Sequence, residues 1–173
     1  VLHGPATGPM AQVVEELRAL PDGAIHAMAT YLASFTDHNP PNDRRAAAVV
    51  EARAVSAMSA SVGVPGAALY QGACAVCHQG GEQPDIFGIR PSLALNSNLY
   101  SSSPDNLIRI ILDGVTTPAA GRHGAMPGFR AHLDDRQMGD LIRFLRAAFA
   151  SDRPTWKDIE TTLQRMRTEG VAQ

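Results

Sequence analysis

No apolar stretch in the chain approaches the length needed to cross a bilayer as a helix, so the expectation is a soluble chain. Neither sign of charge dominates: 15 Lys and Arg stand against 17 Asp and Glu, a formal net charge of −2. That balance offers no basic face for nucleic acid. A charged leader and an apolar signal core are both missing at Val1, so an export signal is expected upstream or already removed. Strands alternating with helices, the setting of a thioredoxin-like dithiol, are not visible. Extra thiolates and histidines paired at metal spacing, which a four-ligand zinc site requires, are missing too. Cysteine itself is scarce, with only two in 173 residues.

Those two cysteines stand together in Cys74-Ala75-Val76-Cys77-His78. Two thiols three positions apart, with an imidazole directly after the second, fit covalent attachment of a c-type haem. The thiols add across the porphyrin vinyl groups, and the adjacent histidine becomes the proximal iron ligand. No cysteine is left over for a disulfide. Haem is attached to such motifs outside the reducing cytosol, so a periplasmic or equivalent compartment is expected. A hydrophobic share of 45% is ordinary for a globular protein with a buried core.

Almost every regular element reads as helix. Pro65 suits a first helical turn, and Gly66 to Tyr70 lead from it into the attachment motif. Ser103-Pro104-Asp105-Asn106 looks like a capped start; Leu107, Ile108, Ile111 and Leu112 then share a face until Gly114 ends the helix. Asp134 and Gln137 have capping-box spacing, with Leu133 placed to staple onto Met138. Beyond them Met138, Leu141, Ile142, Leu145 and Phe149 recur at helical spacing. The stretches 79–102 and 116–131 are rich in Gly, Pro, Ser and Asn, and loops this long are hard to justify in a small domain without a cofactor to wrap.

Residues 37–63, opening on the turn-prone Asp37 to Asp43, read as a linker whose alanine-rich part could be helical. After Pro154, a narrow stripe of Trp156, Ile159, Leu163 and Met166 marks a last helix (151–173), expected to fold back on its own domain. An exposed Trp156 docking onto a partner is the sharper alternative. Leu20-Pro21-Asp22 followed by Ile25, Met28, Ala29, Tyr31 and Leu32 matches Leu133-Asp134-Asp135 followed by Met138, Leu141, Ile142, Phe144 and Leu145 at a constant offset of 113 positions. Residues 1–36 therefore read as the end of a preceding haem domain, and the molecule as part of a longer multihaem protein. Apolar surface left on residues 9–35 raises self-association as an expectation.

A saturated electron-transfer iron needs a second axial ligand. Met126 in His123-Gly124-Ala125-Met126-Pro127-Gly128-Phe129 is the candidate, since a rigid loop could present its sulfur; Met/His ligation raises the potential relative to two histidines. His123 is the rival, and a plain apolar filler is the ordinary fate of a methionine. A proximal histidine has its other ring N–H engaged, and Pro91 could supply the accepting carbonyl or be an ordinary loop proline. Ile86, Phe87, Leu93, Leu95, Leu107, Ile111 and Phe129 could line the ring or be generic core. Arg90 and Arg122 could pair with propionates or be solvated; Tyr100 could bond a propionate or cover the haem edge.

Gly66, Leu69-Tyr70, the Cys74–His78 motif, Pro91-Ser92-Leu93, Met126-Pro127 and Leu141 to Leu145 together resemble a class I cytochrome c over residues 64–150. The resemblance implies an all-α fold around one covalent haem, with Gly66 and Tyr70 packed near Phe144 and the Pro91 carbonyl receiving the His78 N–H. The order of Asn96 to Tyr100 ahead of Ser103 to Ile108 is similar to the last haem domain of multihaem cytochrome c subunits. Those serve periplasmic alcohol or sugar dehydrogenases and molybdenum hydroxylases of the nicotinate or isoquinoline type. That similarity implies that Met10, in Gly8 to Val14, is an axial ligand of another haem. The departures are one attachment motif instead of three and no membrane anchor.

These readings make the chain an electron carrier rather than an enzyme. It would take electrons from a dehydrogenase and pass them to a quinone pool or terminal oxidase. A catalytic or ligand-sensing haem protein, which needs a displaceable sixth ligand, is the main competitor; an interaction module built on the two ends is the third.

Overall fold

The computed structural model describes residues 9–35, 49, 50, 52, 54, 55, 63–78, 92–115 and 125–169. Helices α1 (Pro9–Leu17) and α2 (Asp22–Ala33) come first. Helix α3 (Ala67–Ala73) runs into the single turn α4 (Ala75–His78). Two 3-10 turns, Leu93–Leu95 and Ser97–Tyr100, precede α5 (Asp105–Asp113), α6 (Asp135–Phe149) and α7 (Ile159–Glu169). Among the described residues there is no strand, only an isolated antiparallel bridge between Val115 and Met126. The fold is all-α, as the periodicities imply.

Local chemistry sets the helix boundaries. The Asp134 carboxylate accepts the Gln137 N–H at 2.7 Å while the Gln137 side-chain oxygen accepts the Asp134 N–H at 3.0 Å, a complete capping box. At α5 the Ser103 hydroxyl accepts the Asp105 N–H at 3.2 Å, and Gly114, at φ 76°, closes the far end. The start of α3 is set by tertiary packing. Gly66, at φ 90°, lies against the α6 backbone so closely that a methyl group there would sit 2.6 Å from the Asp140 carbonyl carbon. One turn later Tyr70 is fully buried between Phe144 and Phe149, with ring centroids 5.4 and 5.6 Å apart. Tyr70 therefore meets Phe144 as expected, and Gly66 meets the same helix one turn earlier, at Asp140 and Leu141.

The core joins these rings to Leu107, Ile108, Ile111 and Leu112 of α5 and Met138, Leu141, Ile142 and Leu145 of α6. Val50 and Ala54 also pack against it. Helix α7 lies across α5 and α6 with Ile159, Leu163 and Met166 buried, and Trp156 is only 8% exposed. The tryptophan belongs to the intramolecular core rather than to a free docking surface.

One feature of α6 was not expected: Arg146 is the one buried charged side chain among the described residues, at 3% exposure. Its guanidinium lies 4.1 Å from the Trp156 ring centroid. It donates to the carbonyls of Leu99, of Ser101 at 3.2 Å and of Pro154 at 3.0 Å, while the Trp156 indole N–H donates to Ser101 at 3.1 Å. Three carbonyls from two chain segments thus replace the water this cation lost. Arg146→Met should lower stability by about 3 kcal/mol, because it strands buried acceptors. Arg146→Lys should recover only part of the loss, for want of a planar fork. Guanidinium unfolding of both holoproteins checks this; a Met variant as stable as the parent would refute the role.

Candidate functional site

Helix α3 delivers the attachment motif as one continuous turn. The Cys74 N–H bonds the Tyr70 carbonyl at 2.9 Å, and the Cys74 carbonyl accepts from Cys77 at 3.1 Å and His78 at 2.9 Å. Cys74, Cys77 and His78 therefore stand at i, i+3 and i+4 and share a helical face, whereas Val76 points to solvent. All three are half-buried, and the two thiols are not joined in a disulfide. Burial, with a smaller contribution from Cys77, pushes the Cys74 thiol up to about 11. A thiolate is disfavoured there, the opposite of the lowered values at which redox dithiols work.

Met126 enters from the other side of the chain. Its N–H bonds the Val115 carbonyl at 3.0 Å and its carbonyl accepts the Val115 N–H at 2.9 Å. The side chain is half-buried, and with Phe129, Leu133 and Cys74 it forms the partly exposed apolar margin of the core. Leu93, Leu107 and Ile111 are buried within that core. The Tyr100 hydroxyl lies 2.8 Å from the Ala94 carbonyl oxygen and 3.0 Å from that of Phe149. It thereby fastens the 3-10 turn to the end of α6. Pro91 and Arg90 lie outside the described residues, as do Ile86, Phe87, Arg122 and His123.

Two features near the motif were not legible in the sequence. The Val115 pairing is a single bridge without periodicity, and nothing in the local residues announces it. The Tyr70 hydroxyl is fully buried and has no hydrogen-bond partner among the described residues, although a tyrosine so placed reads simply as an aromatic core residue. Burial first, then Cys74, raises its pKa to about 12, so it stays neutral. Among the described residues no group of three or more His, Cys, Asp or Glu is arranged to hold a bare metal ion.

Residues 63–145 match the family model described as cytochrome C oxidase, cbb3-type, subunit III. The chain is 41% identical over 165 residues to a nicotinate dehydrogenase subunit of Pseudomonas putida, covering 95% of this chain and 13% of that protein. It is 30% identical over 172 residues to the fructose dehydrogenase cytochrome subunit of Gluconobacter japonicus, covering 88% of this chain and 35% of that protein. A match to cytochrome c6 of Synechocystis, 31% identical over 80 residues, covers 46% of this chain and 60% of that protein. The chain spans only 13% and 35% of the first two relatives.

Tyr70→Phe deletes an unpartnered buried hydroxyl and keeps the ring contacts, so it should leave stability unchanged or raise it by about 1 kcal/mol. Thermal unfolding of the holoprotein measures this. A marked loss of stability would mean that the hydroxyl has a partner in the loaded protein.

Proposed function

Proceeding from a chain that carries a cytochrome c domain over residues 63–145, we propose that it passes single electrons through one covalently attached haem c. The observation that carries this reading is the common helical face of Cys74, Cys77 and His78. A bare ion would require three or more protein ligands, whereas a porphyrin brings four nitrogens and leaves only two positions to the protein. The residues present fit that demand. Cys74 and Cys77 would form the thioether bonds, and His78 and Met126 would be the axial ligands. Bound haem c supplies an iron that cycles between ferrous and ferric. Pro91 would hold the His78 ring through its carbonyl, Arg90 would face the propionates, and Tyr100 and Phe129 would shape the apolar surround. The hold of Tyr100 on Ala94 and Phe149 supports a buttressing part for it.

The names of the relatives, subunits of nicotinate and fructose dehydrogenases, support a dehydrogenase as electron donor. A quinone pool or terminal oxidase would be the acceptor, and the periplasm the setting. No helix of the described residues is long and apolar enough to cross a membrane. Residues 1–36 would be the end of a preceding cytochrome domain, 37–63 a linker, 64–150 the haem domain and 151–173 its extension. Exposure of Tyr31, Leu32 and Phe35 on and just after α2 supports the first of these assignments, and oligomer formation through residues 9–35 would follow from the same surface.

Intact mass and the visible spectrum of the purified protein test the reading together. One added haem that acidified acetone does not extract is expected; colourless protein or extractable pigment would refute it. Met126→His should abolish the thioether-to-iron band at the red end of the ferric spectrum. It should also lower the midpoint potential by a sizeable part of the roughly 0.8 V range that axial ligands span. An unchanged spectrum removes Met126 from the site. Carbon monoxide should bind the ferrous parent slowly; rapid, tight binding would favour a sensor or enzyme.

A further inference from the structure

We propose that Gly114 and Gly128 form a backbone latch that sets the position of the Met126 sulfur, making both of them positioning residues for the sixth ligand. The inference rests on the reading of Met126 as an axial ligand and adds what holds it in place. A methionine side chain has three rotatable bonds and no directional hydrogen bond to fix it. Its sulfur is only as well placed as the backbone it hangs from.

That backbone is gripped on both sides of Pro127. Upstream, both peptide groups of Met126 pair with Val115. Downstream, the Phe129 N–H bonds the Ile111 carbonyl at 2.9 Å and the Arg130 N–H bonds the Leu112 carbonyl at 3.1 Å. Ile111 and Leu112 belong to the last turn of α5, whose carbonyls have no partner within the helix. The segment bearing Met126 is therefore referenced to α5, which the core holds by four buried side chains.

The grip closes only because two side chains are missing. A methyl group on Gly114 would lie 2.7 Å from the Gly128 nitrogen and nearer still to the Met126 carbonyl oxygen. A methyl group on Gly128 would lie 2.7 Å from the Leu112 carbonyl oxygen. Each obstacle is main chain, which cannot rotate aside. Gly114 also has φ 76° and ψ −171°, a combination that is essentially confined to glycine. Gly128 has no positive φ, so its requirement is space alone. Sites of this kind work when held to within about 0.5 Å, and widening the latch to admit a methyl group consumes that tolerance.

The test uses purified holoprotein carrying Gly114→Ala, Gly128→Ala or, as reference, Met126→Ala. Gly72→Ala is the control, because a methyl group there meets nothing within 4 Å. Both latch variants should retain covalent haem yet lose most of the red thioether band, and the ferrous forms should bind carbon monoxide at least about tenfold faster. Gly72→Ala should keep the parent values. Latch variants with haem, an intact band and the parent rate would overturn the proposal. Should the substitutions prevent folding, the unmutated protein decides. In mild denaturant, loss of the band and hydrogen exchange at the Val115 and Met126 amides should share one midpoint; separate midpoints refute the latch. If Met126→Ala itself keeps the band, the ligand assignment fails. If it loses the band while the glycine variants keep it, only the latch fails.

Discussion

The crossing of α3 over α6 at Gly66 is the contact on which the rest of the domain depends. A helix can approach another this closely only where no side chain intervenes, and Gly66 reaches the backbone at Asp140 and Leu141. The approach lets Tyr70 sink between Phe144 and Phe149. Three buried aromatic side chains at about 1.5–3 kcal/mol each outweigh any surface pairing in the domain. Cys74 follows Tyr70 by four residues, so the crossing also fixes where the attachment motif leaves the core. Packing between two helices thereby becomes placement of chemistry.

On the opposite flank, the extension after Phe149 is held by burial rather than by its many ions. Arg143 pairs with Glu160, Arg165 with Asp105 at 2.9 Å and Arg167 with Asp135. These pairs are mostly solvent-exposed and contribute about 0–1 kcal/mol apiece. Trp156, Ile159, Leu163 and Met166 are buried, and each contributes more than such a pair. The Arg167 guanidinium also bonds the Arg130 carbonyl at 2.6 Å and the Leu133 carbonyl at 2.5 Å. Helix α7 therefore braces the segment joining Met126 to α6, and its docking bears on the site although no residue of it belongs there.

Much of this was legible in the sequence, and the part that was not has a common physical cause. The Cys74–His78 motif, the Asp134 capping box and the apolar faces of α5 and α6 depend on residues within one or two turns, and each was readable. Arg146 was not, because an arginine between apolar helix positions looks like a solvated one. What buries it is a set of carbonyls at Leu99 and Ser101, more than forty positions away. The burial of the Tyr70 ring is likewise a property of distant segments brought together, whereas the Val115 pairing with Met126 is a single bridge that no periodicity announces. The roles assigned to Pro91 and Arg90 fall on residues outside what the structure describes.

The repeat at 113 positions separates pattern from partner. Met138, Leu141, Phe144 and Leu145 are all buried, whereas Met28, Tyr31 and Leu32 on α2 are exposed, Tyr31 by 65%. Phe35, one turn beyond, is 70% exposed and has Tyr31 as its ring neighbour at 5.0 Å. The same apolar spacing therefore gives a core helix in one copy and a bare face in the other, although Pro21 stands where α6 has the capping Asp134 and makes no side-chain cap. The difference lies outside both helices: α6 has α3 lying across it, and α2 has no buried residue. Apolar periodicity states that a helix has a face to cover but not what covers it. Large apolar faces left in water mark interaction surfaces. The exposed face of α2 supports the proposed reading of residues 1–36 as the end of a preceding domain.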